Sequence, residues 1–252
     1  MTQHVAFVSG SGRNIGRAIA LELAGQGCSV ITNGSRGHEA GEAVAEECRK
    51  LGVDAMYLGG SVGDPEVVRS LAAKALDHFG KVDIVVNNAA IRPATPFLEL
   101  DEAEWAQVLG VNLHAHYYTS RAFLPKMVEQ GWGRIVNITG MNAIHGYAGR
   151  AHVSVSKHGA WGMTKALAKE FGPQGITVNA ISPGPIGTEH PDDPAMQAHI
   201  EEQASKIPVG RLGKPEEIAA LAGFLCSDGG AFVSCSVGRA RDDCRPSAHL
   251  LR

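Results

Sequence analysis

Six short runs of the chain are almost continuously apolar, and each is separated from the next by residues that include a helical pattern. The runs are "VAFVS" (5–9), "CSVIT" (28–32), "VDAMYL" (53–58), "VDIVV" (82–86), "RIVNI" (134–138) and "ITVNAI" (176–181). A strand that is apolar on both faces must be covered on both, as happens in a parallel sheet flanked by helices. Between the runs the apolar residues recur with a 3.6-residue period. Ala40, Val44, Cys48 and Leu51 share one helical face, and Val68, Ala72, Ala75 and Phe79 share another. Asp64-Pro65 supplies an N-cap followed by proline at the first helical position. Repeated β-α alternation predicts an α/β protein with a doubly wound parallel sheet, whose ligands bind at the carboxyl ends of the strands. At 252 residues one large domain has enough chain for a substantial core, and no linker, low-complexity tract or second domain interrupts the pattern.

Composition narrows the function classes. A net charge of −3 and a pI near 6.4 give no basis for nucleic-acid or anionic-membrane binding. Five scattered cysteines form no C-x-x-C pair, and an odd count does not suit a disulfide framework, so a reducing compartment is expected. The first strand-like run begins at residue 5, which leaves no room for a signal peptide, and no apolar run approaches the ~18 residues of a membrane span. The expectation is a soluble cytoplasmic protein.

The stretch "VAFVSGSGRNIGRAIALELAGQG" reads strand, glycine-rich turn, helix. Gly10, Gly12 and Gly16 fall where a strand must turn tightly and bring backbone N–H groups to an anion at a helix N-terminus. The spacing is G-x-G-x-x-x-G. Asn14 lies inside the turn, and asparagine is among the few residues that tolerate positive φ. A glycine turn alone is weak evidence; followed by a second βαβ unit it points to a nucleotide site.

These features resemble the short-chain dehydrogenase/reductase family, in particular its 3-oxoacyl-carrier-protein reductase-like members. The family turn T-G-x-x-x-G-I-G appears as Ser9-Gly10-Ser11-Gly12-Arg13-Asn14-Ile15-Gly16. "NNAA" (87–90) is similar to the family's N-N-A-G, Asn112 falls at its active-site asparagine, and "NAISPGPIGTE" (179–189) is similar to the segment that closes over the nicotinamide. "PVGRLGKPEEIAALAGFLCSD" (208–228) also fits, so the resemblance covers residues 5 to about 233 in order. It implies a Rossmann-like NAD(P)-binding domain over residues 1–233, with residues 234–252 as an atypical tail. The implied cofactor site starts at the first turn with Gly10, Gly12, Arg13, Asn14, Ile15 and Gly16. It continues through Arg36, Ser61 and Val62, then Asn88, Ala89 and Ala90, and closes with Lys157, Pro183, Gly184, Ile186 and Thr188.

An NAD-specific site needs a carboxylate near the end of the second strand to accept hydrogen bonds from the ribose. Here the strand runs into "TNGSRGHEAG", with Arg36 twenty residues past Gly16 and no acid before Glu39. Arg13 and Arg36 could both pair with a 2′-phosphate, which points to NADP(H), with NAD as the alternative. Ser61 stands where the resemblance places an aspartate against the adenine.

Reducing a carbonyl or oxidising an alcohol requires a proton donor or acceptor aimed at the oxygen. The resemblance implies a serine on that oxygen, a Y-x-x-x-K pair and an asparagine. The i,i+4 spacing makes the tyrosine and lysine neighbours on one helix face, where the ammonium lowers the phenol pKa. Lys157 and Asn112 match. The tyrosine position holds Val153 and the serine position holds Gly140, beside Thr139. Tyr147, in the Gly146–Gly149 loop, is the candidate replacement acid, with packing or substrate contact as its other reading. His152 and His158 straddle Lys157 without sharing its face; Asn142 and His145 belong to the same loop and suit substrate binding as well as proton transfer. His114 and His116 are two apart on a helix, which does not suit a metal pair, and no zinc motif occurs.

After "GGAFVS" the family continues into a final apolar strand, whereas here "CSVGRARDDCRPSAHLLR" is arginine-rich and is expected to end without it. The polar, proline-broken segment 187–208 is either a lid over the strand ends or a surface loop. The function expected is an NADP(H)-linked oxidoreductase acting on a small carbonyl or alcohol through an altered proton relay. The alternatives are a redox-inactive nucleotide-binding protein or partner subunit, and an isomerase or lyase using the same pocket. Trp105, Val108, Phe123, Trp161, Met163 and Leu167 spread apolar surface over helices 101–127 and 151–172. With the resemblance, this implies a homodimer or homotetramer built on those helices.

Overall fold

The computed structural model describes residues 4–187, 204–205, 207–235 and 237–239. Seven parallel strands form one sheet in the order β3-β2-β1-β4-β5-β6-β7: β1 Val5–Val8, β2 Ser29–Gly34, β3 Ala55–Gly59, β4 Ile84–Asn87, β5 Gly133–Ile138, β6 Ile176–Ser182 and β7 Val237–Arg239. The helices are α1 Asn14–Gly25, α2 His38–Lys50, α3 Pro65–Phe79, α4 Glu102–Leu109, α5 Ala115–Gln130, α6 Ala151–Phe171 and α7 Pro215–Cys226. The fold is the single-domain, doubly wound α/β sheet expected from the six apolar runs.

Successive strand residues point to opposite faces, so each strand feeds two cores. On one face Val8, Val30, Val86 and Val136 pack with Ile19 and Leu23 of α1, Val44 and Cys48 of α2, and Ile218 and Leu225 of α7. On the other, Phe7, Ile31, Val85 and Ile135 pack with Val68, Leu71 and Ala72 of α3 and with Phe123 and Met127 of α5. Asp64 caps α3 as expected, accepting from the N–H groups of Glu66 and Val67.

Between sheet and helices runs a chain of buried amides and hydroxyls. Thr119 of α5 donates to Asn87 Oδ1 (2.6 Å), Asn87 Nδ2 donates to Asn137 Oδ1 (2.9 Å), and Asn137 Nδ2 donates to Thr164 of α6 (2.9 Å). A buried polar group left unpaired costs about 1–3 kcal/mol, so this chain ties α5 and α6 to the ends of β4 and β5. It sits two turns beyond Lys157 on α6 and fixes that helix against the sheet.

The expected loss of a final strand is corrected. Val237–Arg239 forms β7, which pairs in parallel with Ala180–Ser182 of β6. Three residues at a sheet edge need backbone pairing on one side only, so neither length nor hydrophobic alternation announces them. The 187–208 segment lies largely outside the described residues. No helix among the described residues is long and apolar enough to cross a membrane.

Candidate functional site

After β3, at one edge, the chain crosses back to place β4 on the other side of β1. In open α/β sheets this switch point is where the strand ends open a crevice. Here it opens into a cleft of about 1200 Å³.

The floor of the cleft begins with the turn after β1. Gly10 has φ +63, and a Cβ there would lie 2.9 Å from the Ala89 Cα. At Gly16 a Cβ would lie 2.2 Å from the Gly10 carbonyl oxygen and 2.5 Å from Asn88 Nδ2. Asn14 takes φ +48, the left-handed conformation its side chain tolerates. Ser9 is buried beneath the turn, where its hydroxyl accepts from the N–H groups of Asn88 (3.0 Å) and Ala89 (3.1 Å). Asn88 Nδ2 donates back to the Ser9 and Gly10 carbonyls, both at 3.0 Å. The ends of β1 and β4 are thus sewn into one surface. Gly16→Ala should lower the melting temperature by several degrees, because its Cβ meets backbone oxygen that cannot rotate away and overpacking costs about 1–3 kcal/mol. An unchanged thermal melt by circular dichroism would show that the turn has room.

The end of β2 forms the next wall. Asn33 is buried; its Nδ2 donates to the Leu58 (2.8 Å) and Gly60 (3.1 Å) carbonyls, and its N–H to Ser11 Oγ (2.9 Å). Arg13 and Arg36 both line the cleft from exposed positions. Among the described residues neither is in an ion pair, whereas Arg17 and Arg49 bind Glu47 and Glu42.

At the far end, α6 carries Val153 and Lys157 into the lining. Lys157 is 2 % exposed, and its Nζ donates to the Ile138 carbonyl at 2.8 Å. Burial, reinforced by the charge of Arg92, pushes its pKa down to about 7. No carboxylate forms an ion pair with it among the described residues, so the fold buries an ammonium without a counter-charge. Val153 is fully buried, one turn before it. Gly140 has φ +115 with open space where a Cβ would stand, a conformation that L side chains rarely adopt. Asn142 lines the same end, and its Nδ2 has no hydrogen-bond partner among the described residues.

Every residue expected to hold a cofactor lines this one cleft except Thr188, which lies outside the described residues. Tyr147 and Lys157 line it too. Asn112 does not. It is fully buried in a π-helical segment, Gly110–His114, with its amide paired to Ile91: Nδ2 donates to the Ile91 carbonyl (2.8 Å) and Oδ1 accepts from the Ile91 N–H (2.9 Å). Its direct contacts hold the loop after β4 against α6, with Ser156 Oγ 3.4 Å from Nδ2. His152 is buried with Nε2 3.0 Å from Glu104 Oε1, and His158 Nδ1 is 3.0 Å from the Ala143 carbonyl oxygen. His116 is buried, and neither ring nitrogen has a hydrogen-bond partner among the described residues. Burial, followed by the Lys157 charge, pushes its pKa down to about 3, so it is neutral. Among the described residues no three His, Cys, Asp or Glu side chains gather as a metal site. Two cationic lining residues carried no sequence signal: Arg92, just past β4, and Arg150, at the start of α6.

A family model described as enoyl-(acyl carrier protein) reductase matches residues 10–238, from the first glycine turn into β7. The chain belongs to the short-chain dehydrogenase/reductase family. Within it, the chain is 38% identical over 237 residues to nodulation protein G of Azospirillum brasilense, covering 94% of this chain and 96% of the relative. It is 40% identical over 230 residues to the 3-oxoacyl-(acyl-carrier-protein) reductase FabG of Pseudomonas aeruginosa, covering 91% and 92%. The crystal structure of acetoin dehydrogenase YohF from Salmonella typhimurium superposes with a TM-score of 0.86 at 28% identity, covering 94% of each chain. The FabG and YohF relatives are oxidoreductases by name, and the family assignment makes this chain one of an oxidoreductase family.

Proposed function

We propose that the chain is an NADP(H)-dependent oxidoreductase that interconverts a small carbonyl compound and its alcohol, with a proton relay lacking the phenol at position 153. The observation that carries this reading is that one cleft joins a glycine cradle, closed to side chains, to a buried lysine with no carboxylate partner among the described residues. A dinucleotide answers both demands. Its pyrophosphate suits the N–H groups at the start of α1, and its ribose hydroxyls accept from Lys157. Arg13 and Arg36 suit a 2′-phosphate, and no carboxylate stands at the end of β2 to repel one. Pro183, Gly184 and Ile186 wall the cleft beyond β6.

When bound, the nicotinamide supplies or accepts a hydride equivalent. The chain's own residues orient the reacting carbon, exclude water and manage the proton on oxygen. Asn142 Nδ2 is a donor available to the substrate oxygen, and Tyr147, besides Lys157, is a lining residue that can exchange a proton. Val153 can do neither.

Arg36→Ala should narrow the preference for NADPH over NADH by about 1–3 kcal/mol, the range of a hydrogen bond to a charged group. Nicotinamide fluorescence titration measures it, and equal affinities in the natural chain would defeat the NADP(H) assignment. Val153 also favours a second reading, a nucleotide-binding protein without turnover. NADPH oxidation across a panel of aldehydes and ketones separates the two.

Assembly as a homodimer or homotetramer belongs to the same proposal, on a reduced surface. Val108 and Phe123 are buried inside the subunit and Leu167 packs on its core, so they present no free stripe. Tyr117 and Val128 on α5 and Val155 on α6 are the exposed large apolar residues of those two helices. Light scattering at micromolar concentration reads the outcome.

A further inference from the structure

The cleft lining contains Arg13, Arg36, Arg92, Arg150 and Lys157 and, among the described residues, no aspartate or glutamate, although the whole chain carries a net charge of −3. Arg13 and Arg36 lie at the adenosine end. Arg92, Arg150 and Lys157 lie at the other, where the substrate belongs in the function proposed above.

Three features converge there. Arg92 and Arg150 come from separate elements, the loop after β4 and the N-cap of α6. Among the described residues neither forms an ion pair, while Arg17, Arg49, Arg69 and Arg211 all pair with glutamates. Arg92 is an exposed residue, yet the protein packed round its guanidinium and then the charge of Arg150 both lower its pKa. It in turn lowers that of Lys157. Like charges held within reach of one another, without a carboxylate between them, destabilise the empty site. The third feature is α6 itself. Its 21 residues begin at the cleft with no side-chain cap and no acid in the first turn, so the positive end of its dipole adds to the same field.

We infer that the substrate end of this cleft binds a carbonyl compound bearing an oxyanion, a carboxylate or a phosphate, held between Arg92 and Arg150 with its carbonyl toward Lys157. Guanidinium forks match either group, and a charge-assisted pair fixes the orientation of a small molecule that a purely apolar pocket would leave free to turn. The inference rests on the oxidoreductase reading for its carbonyl and on the cation cluster for its charge.

Matched probes test it by calorimetry on the NADPH-loaded protein: acetoacetate against methyl acetoacetate, and dihydroxyacetone phosphate against dihydroxyacetone. In at least one pair the anionic member should bind tenfold or more tightly than the neutral one, with an advantage that shrinks as salt rises. The pair that shows it distinguishes carboxylate from phosphate. Arg92→Gln and Arg150→Gln should each reduce the anion's affinity about tenfold while leaving the neutral member unchanged, and because like-charge repulsion is relieved neither should lower NADPH affinity or the melting temperature. Equal binding of both members in both pairs, no binding of any probe, or loss of NADPH rather than anion affinity in the arginine variants would overturn the inference. If NADPH itself does not bind, the oxidoreductase reading fails separately. The anion preference is then read on the cofactor-free protein, where the same outcomes decide it.

Discussion

Lys157→Met should abolish most NADPH affinity while removing a pH-dependent weakness from the cofactor-free fold. Its ammonium is buried with one acceptor, the Ile138 carbonyl, and its pKa is pushed from the ordinary 10.5 down to about 7. Between those values the unfolded chain holds a proton that the folded chain lacks. Stability from this group therefore rises with pH from about 7 to 10.5, with a slope of up to about 1.4 kcal/mol per pH unit, and is lost as pH falls back toward 7. The methionine variant lacks that slope. The difference in melting temperature between the two chains should thus change sharply between pH 7 and pH 9. NADPH binding should carry the opposite dependence. Ribose hydroxyls accept from the ammonium form, so affinity should weaken by up to about tenfold per pH unit once the free protein loses that proton above about 7. In Lys157→Met the affinity should be at least tenfold lower and flat over the same range. A variant that binds NADPH like the natural chain, with a constant difference in melting temperature, would remove Lys157 from the cofactor site.

Which parts of this site were legible beforehand follows from the kind of signal each residue leaves. The strands and the Gly10–Gly16 turn are local patterns. A run apolar on both faces and a turn needing positive φ restrict residue type at consecutive positions, so they survive reading one residue after another. Asn14 could be anticipated at φ > 0 for the same reason. Ser9 was readable only through the family turn, and its work, bridging Asn88 and Ala89 across the switch point, depends on a pairing 79 residues distant. Arg92 and Arg150 left no trace, because a lone arginine in a loop has no period and the two meet only once β4 and α6 are assembled. Asn112 was expected beside the reacting groups, yet its polar atoms are spent on Ile91. β7 was missed because an edge strand of three residues makes its case through backbone hydrogen bonds and not through its side chains.

Val153→Tyr should raise ketone reduction on the order of 10²-fold or more, within the ~10²–10⁴-fold that a positioned general acid contributes. The new phenol would stand one helical turn before Lys157, on the same face of α6, where the ammonium favours its ionised form and lowers its pKa. Space decides whether it fits. Val153 is fully buried but borders the cleft, so the cleft is the direction in which a ring can grow. Gly140→Ser, the other change the family pattern suggests, is a different matter. At φ +115 an L residue is strained at a cost of about 1–3 kcal/mol, and the serine would arrive with a lowered melting temperature. The single variant should therefore outperform the double on stability and equal it in rate, with Asn142 Nδ2 serving as the donor to the carbonyl oxygen. Asn142→Ala in the Val153→Tyr background then removes most of the gain, and the two changes are non-additive because both act on one oxygen. Tyr147→Phe in the natural chain is the control. If it eliminates a measurable activity, the loop tyrosine already carries the proton and Val153→Tyr adds little. If the natural chain reduces nothing, and Val153→Tyr stays folded, binds NADPH and also reduces nothing across neutral and anionic ketones, the missing phenol is not what limits this protein.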